Sequence, residues 1–208
     1  MPVPAMVIGF SLWAAAAGAG DLPGPYQDAL RELRTARDPS VRARAAIVLV
    51  HGIRGVALPD ATPEIADALG EALTDDADNT VQTMAAYALC VLGDRRGVAR
   101  AIAGVQATLA RGLDQQGPYS AAVGLPIPFF YRALGNTGGA EATSFLIEIA
   151  RTGPPRGRVV AIEALGLITD DGGQVDRALA RLSGDADPSV RNVARNVLTE
   201  RTRPKGKR

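Results

Sequence analysis

Cysteine and histidine occur once each in the 208 residues, as Cys90 and His51, and tryptophan once, as Trp13. A lone cysteine excludes a disulfide framework and a thiolate metal cluster, and a lone histidine excludes multi-histidine sites and argues against a histidine-based triad. Aromatic residues make up only 4% of the chain, and no apolar run reaches the about 20 residues that span a bilayer. Lysine is nearly missing too: 21 Arg stand against 2 Lys, beside 37 Ala, a bias of genome composition rather than a mark of function. What remains is 47% apolar and 22% charged side chains, enough burial to offset the entropy of ordering one domain.

The formal charge of +1 is a sum of unlike parts. The last nine residues hold five basic groups and one acid, Glu200, so the other 199 carry 18 basic against 21 acidic groups. A mildly acidic body therefore ends in a basic tail. At the other end, Ala5 to Ala17 is an uncharged run of 13 apolar or small residues, followed by Gly18, Ala19 and Gly20. Thirteen residues suit the hydrophobic region of a signal peptide, and Ala17-Gly18-Ala19 supplies the small-x-small cleavage pattern. The opening MPVP lacks the usual basic residue. Residues 1–19 are thus expected to be a signal peptide, with an N-terminal capping helix as the alternative.

The body repeats. Asp38-Pro39-Ser40-Val41-Arg42 recurs 149 residues later as Asp187-Pro188-Ser189-Val190-Arg191, and Val41, Ala45 and Leu49 match Val190, Ala194 and Leu198. The same frame occurs at Val81, Ala85 and Leu89, and in degenerate form at Pro126, Phe130, Leu134 and at Gly157, Ala161, Leu165. Leucines at 49, 89, 134, 165 and 198 are separated by 31 to 45 residues, the period of a helical-repeat array. Asp before Pro reads as a helix N-cap followed by the first helical position. The i, i+4, i+8 spacing then makes one buried stripe. A partner helix precedes each frame, at Tyr26–Ala36, Pro63–Leu73, Val98–Leu113, Ala140–Ala150 and Val175–Leu182. Gly, Pro and Asp clusters separate them. The expectation is five helix pairs and no strand, an all-α solenoid over residues 20–202 with a disordered basic tail at 203–208.

The frame D-P-x-V-R-x-x-A-x-x-x-L, seen from Asp38 and Asp187, resembles HEAT repeats, in particular the short variety found in phycobilisome-lyase-like proteins. The resemblance covers roughly residues 25 to 202. It implies an α-solenoid in a family that mostly scaffolds and binds, with some lyase and DNA-glycosylase members, so the fold fixes no activity.

Arg42, Arg158 and Arg191 share one position of the frame, with Gln82 and Ile127 in the other two units. They read as a ladder to the capping Asp38, Asp78 and Asp187 of neighbouring units, since partly buried charges need partners. Cys90 reads as a small core hydrophobe. His51 reads as a favourable charge at a helix C-terminus. Asp75-Asp76 and Asp170-Asp171 read as turn and cap residues. The third unit is irregular, with prolines at 118, 126 and 128 and five of the nine aromatics between 119 and 145. Phe130 falls in the core slot, whereas Tyr131 and Arg132 are expected to point partly away from the stripe. Aromatic and arginine side chains dominate binding hot spots, so Tyr119, Tyr131, Arg132 and Tyr87 are the candidate partner-binding residues. The alternative is that the rings fill a wedge at a proline-bent junction.

No catalytic, cofactor or metal constellation emerges. The expected function is a non-catalytic scaffold binding another protein or peptide, monomeric, exported to the periplasm or cell exterior if residues 1–19 are cleaved and cytoplasmic otherwise. No nucleic acid is expected as partner, and no stable membrane insertion after cleavage. A phycobilin-lyase-like chromophore-handling protein is the alternative, and a nucleic-acid-binding HEAT domain the third. Mass spectrometry of the protein from its native host should find the chain beginning at Gly20; an intact Met1 would contradict export.

Overall fold

The computed structural model describes residues 22–52, 63–111, 125–169 and 172–203. The leader at 1–19, Tyr119, Asp170, Asp171 and residues 204–208 lie outside them. Ten α-helices run through the described residues, with no strand among them: α1 (Gly24–Thr35), α2 (Pro39–His51), α3 (Pro63–Asp75), α4 (Asn79–Val91), α5 (Val98–Ala110), α6 (Ile127–Thr137), α7 (Ala140–Thr152), α8 (Pro155–Leu165), α9 (Gln174–Leu182) and α10 (Pro188–Thr202). Each odd helix pairs with the even helix that follows it. The even helices form one unbroken layer, α2 on α4 on α6 on α8 on α10. In the odd layer α1 packs on α3 and α5 on α7 and α7 on α9, while a 3-10 turn, Arg95–Gly97, touches both α3 and α5. This is the two-layer helical solenoid that the repeat frame predicts.

The caps form as the sequence implies. The Asp38 carboxylate accepts from the Ser40 amide at 2.8 Å, Asp78 from Thr80 at 2.7 Å and Val81 at 3.2 Å, and Asp187 from Ser189 at 2.7 Å and Val190 at 3.3 Å. Each satisfies amides that the first turn of a helix leaves unpaired. Between α6 and α7 the turn uses Gly138 (φ 64°) and Gly139 (φ 86°), a left-handed backbone that side chains with a Cβ resist.

Helix α4 is the centre. Every residue from Thr83 to Cys90 is buried, so no side of the helix there faces solvent. Four alanines, Ala85, Ala86, Ala88 and the neighbouring Ala133 of α6, keep the helices close, and Gly135 of α6 brings it so near α8 that a Cβ would run into the Ala164 carbonyl. At the other end of the array, α10 exposes Asn192, Arg195, Asn196 and Thr199 at the frame positions where α4 buries Thr83, Ala86, Tyr87 and Cys90. That polar end face is what keeps a terminal repeat soluble.

Two of the three frame arginines, Arg42 and Arg158, bridge units, but their acidic partners are not the capping aspartates. Arg42 Nε donates to Asp76 Oδ2 at 2.6 Å and Nη2 to Asp76 Oδ1 at 2.9 Å, a forked pair from the first unit to the second. Arg158 reaches Asp185 of the fifth unit through Nη2 alone, its Nε going to a turn carbonyl. Asp76 and Asp185 each stand two residues before a cap and accept from its amide, Asp78 N and Asp187 N, both at 2.9 Å. The capping carboxylates are turned towards their own helices, which leaves the earlier aspartate to face the arginine. The residues at this frame position also hold turn carbonyls: Arg42 that of Ala36 at 2.7 Å, Gln82 that of Asp76 at 2.7 Å, Arg158 that of Ala150 at 2.9 Å and Arg191 that of Asp185 at 2.6 Å. Arg201, inside the solenoid bounds of 20–202, is tied to the array with Nε on Asp176 Oδ1 at 2.6 Å.

The Arg42 guanidinium holds the Asp76 carboxyl below the ordinary 3.8. A carboxylate whose pKa is lowered by folding stabilises the fold above its unfolded pKa and loses that contribution as pH falls through the folded one. Asp76→Asn should therefore cost about 1.5–3 kcal/mol at neutral pH. It should also flatten the loss of stability below about pH 4, as read by urea unfolding across pH; an unchanged acid limb would contradict the bridge.

Candidate functional site

The even-helix layer has a regular outward side. Frame positions spaced 4, 3 and 4 residues apart stand above one another on a helix. In α2 they are Ser40, Arg44, Ile47 and His51; in α4, Thr80, Met84, Tyr87 and Val91; in the third unit, Leu125, Phe129, Arg132 and Asn136. Over α4 the column is closed, because Met84 and Tyr87 are buried. On α2 and α6 it is open, exposing Arg44, His51, Phe129, Arg132 and Asn136.

His51 and Phe129 meet across that buried helix. His51 Nε2 lies 2.6 Å from the Tyr87 hydroxyl, and the two rings stack with centroids 5.6 Å apart and planes 11° from parallel. Phe129 meets His51 edge to face at 5.9 Å, and Phe130 tilts against Tyr87 at 5.0 Å. Phe129 remains 44% exposed, one of two large apolar side chains so open among the described residues; the other is Leu167. Burial pushes the Tyr87 phenol above its ordinary 10, while the nearby Arg132 charge pulls the other way. His51 keeps an exposed edge, yet burial around the ring holds its pKa below 6.5. It is therefore a neutral hydrogen-bonding group at neutral pH, not the helix-end cation that its position in the sequence suggests. Cys90 is a core residue with its thiol pushed up to about 11 by burial, which withholds the thiolate that a nucleophile needs.

Tyr119 lies outside the described residues; of the other three candidate partner-binding residues, only Arg132 is found at the surface. Tyr87 and Tyr131 are each 1% exposed. Tyr131 does not lean away from the core; it turns towards the next unit and tilts against Phe145 at 6.3 Å. Both are packing residues here, so the aromatic wedge and the surface patch are separate features of the same unit. Phe129 and Arg44 are not among the sequence candidates and His51 is read there only as a helix-end charge, although their shared column lies in the frame. Elsewhere, a groove of about 410 Å³ lies between α1 and α3, lined by Leu33, Arg34, Ala68, Glu71 and Asp75, with Arg34 and Glu71 paired across it at 3.6 Å. Among the described residues no group of three His, Cys, Asp or Glu is arranged to hold a metal ion, and no helix is long and apolar enough to cross a membrane.

Removing the Tyr87 hydroxyl should expose the link between ring and charge. Tyr87→Phe is expected to lose about 1 kcal/mol of stability. In the parent, an NMR titration of His51 should give a midpoint below 6.5. A His pKa lowered by folding means stability is present above the unfolded pKa and lost as pH falls through the folded one. A His51 midpoint above 6.5 would contradict this geometry.

No family model matches the chain, and no curated protein matches it. A solved structure is similar: the complex of CpcE and CpcF of phycocyanin lyase from Nostoc sp. PCC7120, with a TM-score of 0.53 and 22% identity over 92% of this chain and 70% of that chain. The chain shares with it a HEAT-repeat-like helical solenoid, and at that identity the likeness is one of fold.

Proposed function

We propose that this chain is a helical-repeat interaction module that holds another protein on its even-helix side, around Phe129 and Arg132. One observation carries the reading: an exposed ring beside an exposed guanidinium, fixed over a helix that is itself buried on every side. Aromatic and arginine groups on a rigid base are the side chains that dominate interface energies, because little entropy is lost when they are covered. That the similar structure is a complex of two proteins also supports a protein partner. The uncharged leader supports action in the periplasm or outside the cell.

A second reading follows more directly from the likeness to a phycocyanin lyase: a chromophore-handling, lyase-like protein. The same patch would offer a flat conjugated ring system the face of Phe129 and would offer its carboxylates Arg132.

Two measurements decide between them. A photo-crosslinking residue at position 136, exposed in the same column beside Arg132, should in the native host give a discrete protein adduct that the same residue at position 148 on the odd-helix side does not; equal adducts at both would contradict the module reading. A bilin added to the purified chain should leave its absorbance spectrum unchanged under the first reading. A shifted spectrum that Phe129→Ser abolishes would establish the second.

A further inference from the structure

The charge on this solenoid is sorted between its layers. Helices α2, α4 and α6 contain no Asp or Glu, and they carry Arg42, Arg44 and Arg132. Arg42 is committed to Asp76, whereas neither Arg44 nor Arg132 forms an ion pair among the described residues. In the opposite layer α3 has Glu64, Asp67, Glu71 and Asp75 and no basic residue of its own, but Glu64 and Glu71 pair with Arg34 and Asp67 with Arg96. The two unmatched guanidiniums flank the exposed Phe129 ring and the His51 edge, with Ile47 and Val91 half-buried beside them.

Resting on the module reading above, we propose that the α2–α4–α6 side binds an acidic peptide segment that carries an apolar anchor. The anchor covers Phe129, and carboxylates on either side of it meet Arg132 and Arg44. Seven residues separate Arg44 from His51, about 10 Å along the helix. The partner's charges thus sit one to two helical turns from its anchor. A nucleic acid fits less well. Phosphate binding gains from many cations in a row, whereas here two guanidiniums stand about an apolar ring.

The test uses the full chain and three fluorescent probes: a short synthetic peptide of Leu, Phe, Asp and Glu, its neutral Asn and Gln analogue, and a DNA duplex. Anisotropy should show the acidic peptide binding more tightly than the neutral one, and more weakly as salt rises. Arg132→Glu and Arg44→Glu should each weaken it about tenfold, and Phe129→Ser as much. Arg181→Glu, an equal charge change on exposed α9, should leave it unchanged. Both Arg132 and Arg44 are exposed, and thermal unfolding at the parent temperature verifies that each variant folds. Equal binding of both peptides, or indifference to both arginine reversals, overturns this inference and leaves the module reading standing. Binding of the duplex with neither peptide overturns both. Binding of no probe overturns the inference alone, since crosslinking at position 136 reports on the module independently.

Discussion

The all-round burial of α4 is the constraint on which the rest of the structure depends. A helix in a two-layer array ordinarily keeps one side in water, but α4 has α2 and α6 beside it, α3 and α5 behind it, and His51 with Phe130 about its Tyr87. Its composition makes this feasible. Alanines allow backbones to approach, while Val81, Met84, Tyr87 and Leu89 fill the spaces between, so apolar area leaves water with little room for cavities. The helix also has no charged side chain, so its burial strands no ion.

Polar groups then set how the units follow one another. Asp76 and Asp185 each join three elements: the arginine of an earlier unit, the amide of the next cap and, through it, the start of the next even helix. The 3-10 turn does a related job between α3 and α5, where Arg96 donates to the Ala66 carbonyl at 3.1 Å and to Asp94 at 2.7 Å. Gly70 leaves room for that guanidinium; a Cβ there would stand 2.8 Å from Arg96 Nη1. Apolar contact gives the array its cohesion, and these bonds give it register.

Much of the fold was legible in the sequence because the frame is set by local rules. Cap, stripe and turn depend on residues a few positions apart, and so the ten helices and three aspartate caps could be read directly. The site was less legible, because exposure depends on what the neighbouring unit places opposite a residue. Tyr131 occupies the same frame position as Arg195, which is exposed on α10; in the third unit α7 lies against that position and Phe145 meets the ring. His51 reads as a cation until the fold buries much of its ring, with Tyr87, 36 residues away, stacked against it. The acidic ladder partners left a signal that proximity to the caps obscured: Asp-Ala-Asp occurs at 76–78 and again at 185–187.

The geometry thus separates what holds the molecule together from what it presents. Tyr87, Tyr131 and Cys90 belong to the first group, and Phe129, Arg132 and Arg44 to the second. The likeness to a phycocyanin lyase extends to the first alone, since it is a likeness of fold. Native-state hydrogen exchange tests the central claim most directly. The amides of α4 should be the slowest in the chain, opening only with global unfolding, while α1 and α9 at the ends of the array exchange sooner. Exchange of α4 as fast as that of α9 would show that the array is not built around it.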